Sequence, residues 1–169
     1  MKTKTASDVA PKQIMTALAK RVPKSRLDEA QAFANVFYRR MDADEYAQHG
    51  AEGWAALVAD MLEFARVRKP GKSLVRLFNP NMKLHGWESP HTVVQVVNDD
   101  MPFLGDSVTM ELAEPGVGVH VLGHPVVELQ RDKTGKLGKV GSGVAESFIH
   151  LEIDRQAPDA MATIKERLE

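Results

Sequence analysis

Apolar positions in the first seventy residues recur at helical spacing. Ile14, Ala17, Leu18 and Val22 form one stripe, and Pro23 ends that segment or starts the next. A second stripe runs Leu27, Ala30, Ala34, Phe37, Tyr38 and Met41. Ser25 is placed to cap it, with Asp28 three residues on. A short helix is expected over Ala43–Gln48, and Gly50 breaks the chain. A fourth helix carries Trp54, Leu57, Val58, Met61, Leu62 and Ala65 and stops before Pro70. These stripes read as packing surfaces, without catalytic groups.

After Lys69-Pro70-Gly71-Lys72-Ser73 the period changes. Leu74–Asn79 reads as a short strand. Thr92–Asn98 is β-branched and apolar on both faces, as a central strand requires. Asp99 or Asp100 is then expected to cap a helix carrying Leu104, Val108 and Leu112 and ending at Pro115-Gly116. Gly118–Arg131 is extended, with a bend, bulge or edge position at Pro125. Asp132–Lys136 has turn chemistry, and Gly138–Gly143 reads as loop. Ser147–Asp154 alternates, with Ile149, Leu151 and Ile153 on one face and His150, Glu152 and Asp154 on the other. A last helix spans Ala157–Leu168. From Thr92 the order is strand, helix, strand, strand, helix. That is most of a ferredoxin-like unit, and Leu74–Asn79 is available as the missing closing strand. The chain is thus expected to be α+β, with a helical segment over residues 1–70 and a sheet domain over residues 74–169.

Composition narrows the function classes. The 169 residues carry a net charge of −1, which argues against a nucleic-acid binder working by bulk charge. The two halves differ mildly, +3 before residue 71 and −4 after it. With no cysteine, disulfides, thiolate metal sites and cysteine nucleophiles are excluded, and a cytoplasmic location is the default expectation. No apolar run approaches the length of a membrane span, so no membrane partner is expected.

Few side chains suggest chemistry. His120, His124 and His150 on one sheet could bind a metal, but no ligand motif frames them, and packed or solvent-facing histidines are the simpler reading. Trp87, flanked by His85 and His91, reads as a buried plug. There is no nucleophile elbow, dinucleotide cradle or phosphate loop, so no catalytic residue and no cofactor or metal site is assigned. The segment that stands out is the strand-to-helix junction Asn98, Asp99, Asp100, Met101, Pro102, Phe103 and Leu104. Backbone N–H groups at such a junction attract a carboxylate, as an amino-acid effector would require.

The run Asn98–Leu112 resembles the signature near the N-terminus of the large bacterial NAD-specific glutamate dehydrogenases. So do Phe37–Arg40, Arg76–Pro80, His85–Thr92 and His150–Gln156, and together these span most of the chain. That family's N-terminal region is similar to an ACT domain, a ferredoxin-like module that often senses amino acids. The resemblance implies an ACT-like βαββα antiparallel sheet with helices on one face, in a piece of a much longer chain. NAD would belong to the full-length enzyme and no cofactor to this part. The implied partners are the rest of the dehydrogenase, its homo-oligomer and an amino-acid effector. Typical ACT modules carry Asp-x-Pro-Gly between first strand and first helix. Here Asp100-Met101-Pro102 is followed by Phe103, whose side chain could fill the ligand's place. Gly105 stands where the family has a bulkier apolar residue, which predicts weaker packing of that helix. The alternative is an interface module with no small-molecule ligand, docking through Phe103 and a sheet face carrying His120, His124, His150 and Glu152.

Overall fold

A computed structural model describes residues 6–39, 43–113 and 116–169. Met41, assigned above to the second helical stripe, and Pro115, assigned to the end of the Leu104–Leu112 helix, lie outside the described residues, as does Arg40 of the resembling run Phe37–Arg40. Four helices come first: α1 (Ala6–Arg21), α2 (Lys24–Phe37), α3 (Ala43–Ala47) and α4 (Gly50–Phe64). They are followed by β1 (Leu74–Phe78), the short α5 (Met82–His85), β2 (Thr92–Asp99) and α6 (Leu104–Ala113). The chain then forms β3 (Val119–Gly123), β4 (Val126–Arg131), β5 (Leu137–Val140), β6 (Val144–Ile153) and α7 (Pro158–Leu168).

The strands make one antiparallel sheet in the order β1-β2-β6-β4-β5. β3 pairs with the C-terminal half of β6, beside the stretch that pairs with β4. β3 and β4 are therefore two pieces of one broken strand, parted at His124-Pro125 as the proline predicts. β1 lies antiparallel on β2, with Val75 opposite Val96. It takes the place that the closing strand occupies in a ferredoxin-like sheet, although it comes first in the chain.

The alternation of β6 sorts its side chains between two cores. Ile149, Leu151 and Ile153 face α6 and α7, packing with Val108, Leu112 and Ile164. Phe148 faces the opposite side and packs with Val93, Val97, Phe33 and Leu57 beneath the N-terminal helices. Phe33 and Phe148 meet edge to face with centroids 4.9 Å apart. The helical segment is thus the cover of the second sheet face, giving three layers: helices, sheet, helices.

Three local expectations change. Ser25 does not cap α2. Pro23 is the N-cap residue and offers no side-chain bond, so Ser25 already lies inside the first turn. The stretch expected as loop contains β5, because Leu137 and Val140 are apolar enough to be buried in the main core when paired with β4. Asp99 and Asp100 do not cap α6, since Met101, Pro102 and Phe103 intervene between Asp100 and Leu104. Asp99 instead accepts from the buried Arg68 guanidinium at 2.6 Å, and Asp100 accepts from Ser147 Oγ at 2.9 Å. The expected turn at Asp132 forms, its carboxylate accepting from the Thr134 and Lys136 N–H groups at 2.8 and 3.1 Å.

The β4–β5 hairpin is fastened to the segment after α4. Arg68 N donates to Gly135 O, and Leu137 N donates to Arg66 O. Beneath it the Glu146 carboxylate lies between two guanidinium groups, 2.9 Å from Arg68 Nε and 2.8 Å from Arg131 Nε. Gly135 permits this approach. A Cβ there would sit 2.0 Å from the Arg68 carbonyl oxygen, and its φ is +88°. Gly135→Ala is expected to lower the unfolding free energy by about 2 kcal/mol or more in urea denaturation. Gly71→Ala, also at positive φ but in open space, should cost only about 1 kcal/mol.

Candidate functional site

The junction between β2 and α6 is an exposed turn. Asn98, next to last in β2, is half-buried, and its Oδ1 accepts from Asp99 N at 2.9 Å. Asp100 N donates to Ala145 O, anchoring the turn to β6. Met101, Pro102 and Phe103 are exposed, and Leu104 turns back half-buried against the core under α6 and α7. Phe103 has φ +63°, the one non-glycine among the described residues at positive φ. The backbone therefore keeps the left-handed conformation a glycine would supply at this position, and Phe103 adopts it at a cost of roughly 1–2 kcal/mol. Its ring is 76% exposed, so it extends outward. Gly105 leaves room for a neighbour: a Cβ there would sit 2.8 Å from His124 Nδ1, so the imidazole packs where a larger side chain would stand.

A second cluster lies between the sheet and the N-terminal helices. Glu152 and His150, expected on an open face, are fully buried there. Glu152 accepts from His49 Nε2, which lies 2.8 and 3.0 Å from its two oxygens. The His49 ring stands edge-on to both Trp54 and Trp87. Burial pushes the Glu152 carboxyl up, but its bond from His49 and the charges of nearby histidines outweigh this and hold it below the usual range. His150 bonds through Nδ1 to Gln95 at 3.0 Å, Gln95 Oε1 accepts from Arg76 Nε at 2.8 Å, and Arg76 pairs with Asp60 at 2.7 Å. Trp87 is buried as expected of a plug, against His49, Phe78 and His150. His49 carried no sequence signal of its own. The indirect signal is Gln95, His150 and Glu152 themselves, polar residues on otherwise apolar strands that need partners once buried.

The three histidines weighed as a metal site have separate partners. His120 Nε2 lies 2.6 Å from Asp154, and its ring stacks on His91 at 4.0 Å. His124 is exposed beside Gly105, and His150 is in the core. Among the described residues no group of three or more His, Asp or Glu is arranged to hold a metal ion. Burial lowers the His150 imidazole from 6.5 to about 4. Between those values the unfolded chain binds a proton that the folded chain refuses, so stability falls as pH drops from about 6.5 towards 4. The depressed Glu152 carboxyl acts in the same direction, since its contribution is lost as pH falls through its folded value. Urea midpoints measured from pH 7 to pH 4 are expected to fall steadily, His150 alone contributing up to about 3 kcal/mol. His150→Phe, if folded, should flatten that slope.

The comparison with known proteins agrees with this architecture. The profile of the family described as "Glutamate dehydrogenase, ACT1 domain" matches residues 33–168, which include the end of α2, α3, α4, the whole sheet, α6 and α7. The NAD-specific glutamate dehydrogenase of Halomonas elongata is 32% identical over 156 residues, covering 88% of this chain and 10% of that protein. The enzyme of the same name from Pseudomonas aeruginosa is 34% identical over 152 residues, covering 86% of this chain and 9% of that protein. The chain thus spans about a tenth of the length of these relatives. No solved structure gives a significant match. The chain belongs to the glutamate dehydrogenase ACT1 domain family.

Proposed function

We propose that this chain is the N-terminal regulatory and assembly region of a large, cytoplasmic NAD-dependent glutamate dehydrogenase. The whole enzyme would convert glutamate to 2-oxoglutarate and ammonia with NAD, and this region would itself be non-catalytic. The relatives' names and the short share of their length that is matched support the reading. The working surface would be the turn Asn98, Asp99, Asp100, Met101, Pro102, Phe103 and Leu104.

One observation carries the choice of surface: a large aromatic side chain held outward, at 76% exposure, from a backbone conformation that disfavours it. Such a residue gains little inside its own fold and is suited to a contact outside it. The same observation favours docking onto the rest of the dehydrogenase or its homo-oligomer over capture of an amino-acid effector. Phe103 lines neither the cavity beside His124 and Pro125 nor the one beside Trp87 and Ser89.

Incubated with glutamate and NAD, the 169-residue chain is expected to form no NADH, and NADH formation would overturn the assignment. Phe103→Gly should leave the isolated chain's stability within about 1 kcal/mol of the parent or raise it, while weakening assembly of the full-length enzyme in sedimentation. A larger loss of stability would show that the ring is anchored within its own fold. A thermal-shift titration with the twenty amino acids separates the two roles: a saturable rise with one of them supports an effector site.

A further inference from the structure

Among the described strands β3 pairs with β6 alone, and its ladder is irregular at its start: Val119 lies opposite Ile153 and Val121 opposite Glu152. His120 is the extra residue of a bulge, with no partner of its own in the ladder. Side chains fasten this end of the strand instead. Asp154, just past β6, accepts from Gly118 N at 2.8 Å through one carboxylate oxygen and from His120 Nε2 at 2.6 Å through the other. Its own N–H donates to Gly118 O. The His120 ring lies flat on His91, with centroids 4.0 Å apart and planes within 8° of parallel. His91 stands just before β2, where its N–H donates to Ser89 Oγ at 3.1 Å. The stack therefore ties the start of β3 to the segment that enters β2.

Two stacked imidazoles take one proton readily and a second with difficulty. The first belongs on His120, because the Asp154 carboxylate balances its charge through a charge-assisted bond. A second, on His91, sets two like charges face to face at 4.0 Å. The other titratable groups acting on His91 are Glu152 and Asp154 of β6, which favour its proton, and His49 at the junction of α3 and α4, which opposes it. Burial first, and His120 second, outweigh the two carboxylates and hold the His91 imidazole below its ordinary 6.5. Its bonds from His120 and Gly118 hold the Asp154 carboxyl below the usual range, so Asp154 stays ionised while the histidines titrate. His120 and Asp154 are 41% and 54% exposed, so protons reach the stack from solvent.

We propose that the His91–His120 stack is a proton-operated clasp on β3: it is closed with no proton or with one, held on His120 beside Asp154, and it opens when His91 takes a second, releasing residues 118–120 from the segment that enters β2. A proton that the closed clasp disfavours is taken up only as pH falls below 6.5, so the clasp is closed at pH 7 and opens on acidification. It is separate from the Asn98–Leu104 turn and does not rest on the role given to that turn.

The test is a histidine titration of the 169-residue chain by NMR from about pH 8 to about pH 5, with backbone ¹⁵N order parameters measured at each step. His91 is expected to protonate after His120 and below pH 6.5. The order parameters of Gly118, Val119 and His120 should fall as His91 takes its proton, while those of Val94 and Leu151 in the core stay unchanged. His120→Phe keeps a ring against His91 but removes the like charge, so His91 should bind its proton about tenfold more tightly. Asp154→Asn should make His120 bind its proton about tenfold more weakly. His91→Phe should keep residues 118–120 ordered across the whole range. If a variant does not fold, the titration of the parent chain carries the test alone. The proposal is overturned if His91 protonates before His120 or above pH 6.5, or if the order of residues 118–120 does not follow the His91 midpoint. An unchanged His91 in His120→Phe, an unchanged His120 in Asp154→Asn, or a loss of order that persists in His91→Phe would overturn it equally.

Discussion

A carboxylate in the middle of a β-sheet must be paired, hydrogen-bonded or neutralised, because leaving water costs an isolated ion several kcal/mol. Glu152 on β6 meets that demand with His49, which the chain delivers at the junction of α3 and α4. The arrangement of the molecule follows from this contact. Gln95, His150 and Glu152 would make poor solvent-facing neighbours for Phe148, Val93 and Val97 on the same sheet face. They make a satisfied interior once the helical layer closes over them. The N-terminal helices therefore function as the lid of the sheet. The structure is three layers deep, and Phe33, Trp54 and Leu57 belong to the apolar core that closes over the polar cluster.

The layered arrangement also leaves the two faces of the sheet under different helices. α6 and α7 cover one face through Val108, Leu112 and Ile164, and β1 closes the sheet where a later strand would be expected. The turn between β2 and α6 stays outward, with Met101 and Phe103 among the exposed large apolar side chains. That turn is braced from below by the Asp99–Arg68 pair and the Asp100–Ser147 bond, so its exposed side chains project from a fixed platform. A fixed platform is suited to a docking contact, since little ordering entropy remains to be lost on binding.

Much of this was legible in the sequence, for identifiable reasons. The alternation of Ile149, Leu151 and Ile153 located β6 and its inner face because side chains alternate strictly along a strand. Pro125 located the strand break because proline cannot donate to the ladder. The resemblance over Phe37–Gln156 agrees with the family match over residues 33–168. Other features were illegible because they depend on distant partners. The cover over His150 and Glu152 requires knowing that α2–α4 fold back onto the sheet. β5 looked like loop because Gly138, Gly141 and Gly143 mask two buried positions, Leu137 and Val140, that only pairing with β4 makes useful. Asp99 looked like a helix cap because local chemistry cannot anticipate Arg68 arriving from thirty-one residues earlier. Of the turn, the sequence shows the residues and their place between strand and helix. It does not show that Phe103 keeps a glycine-like backbone with its ring in solvent.

The most direct test is a double-mutant cycle between His49 and Glu152, read by urea denaturation of the parent chain, His49→Ala, Glu152→Gln and the double variant. If this pair joins the helical layer to the sheet, the two substitutions should be non-additive by about 1–3 kcal/mol, the second costing much less once the first is present. Additive losses within about 0.5 kcal/mol would contradict the account, because the helical layer would then be held to the sheet without its central polar contact.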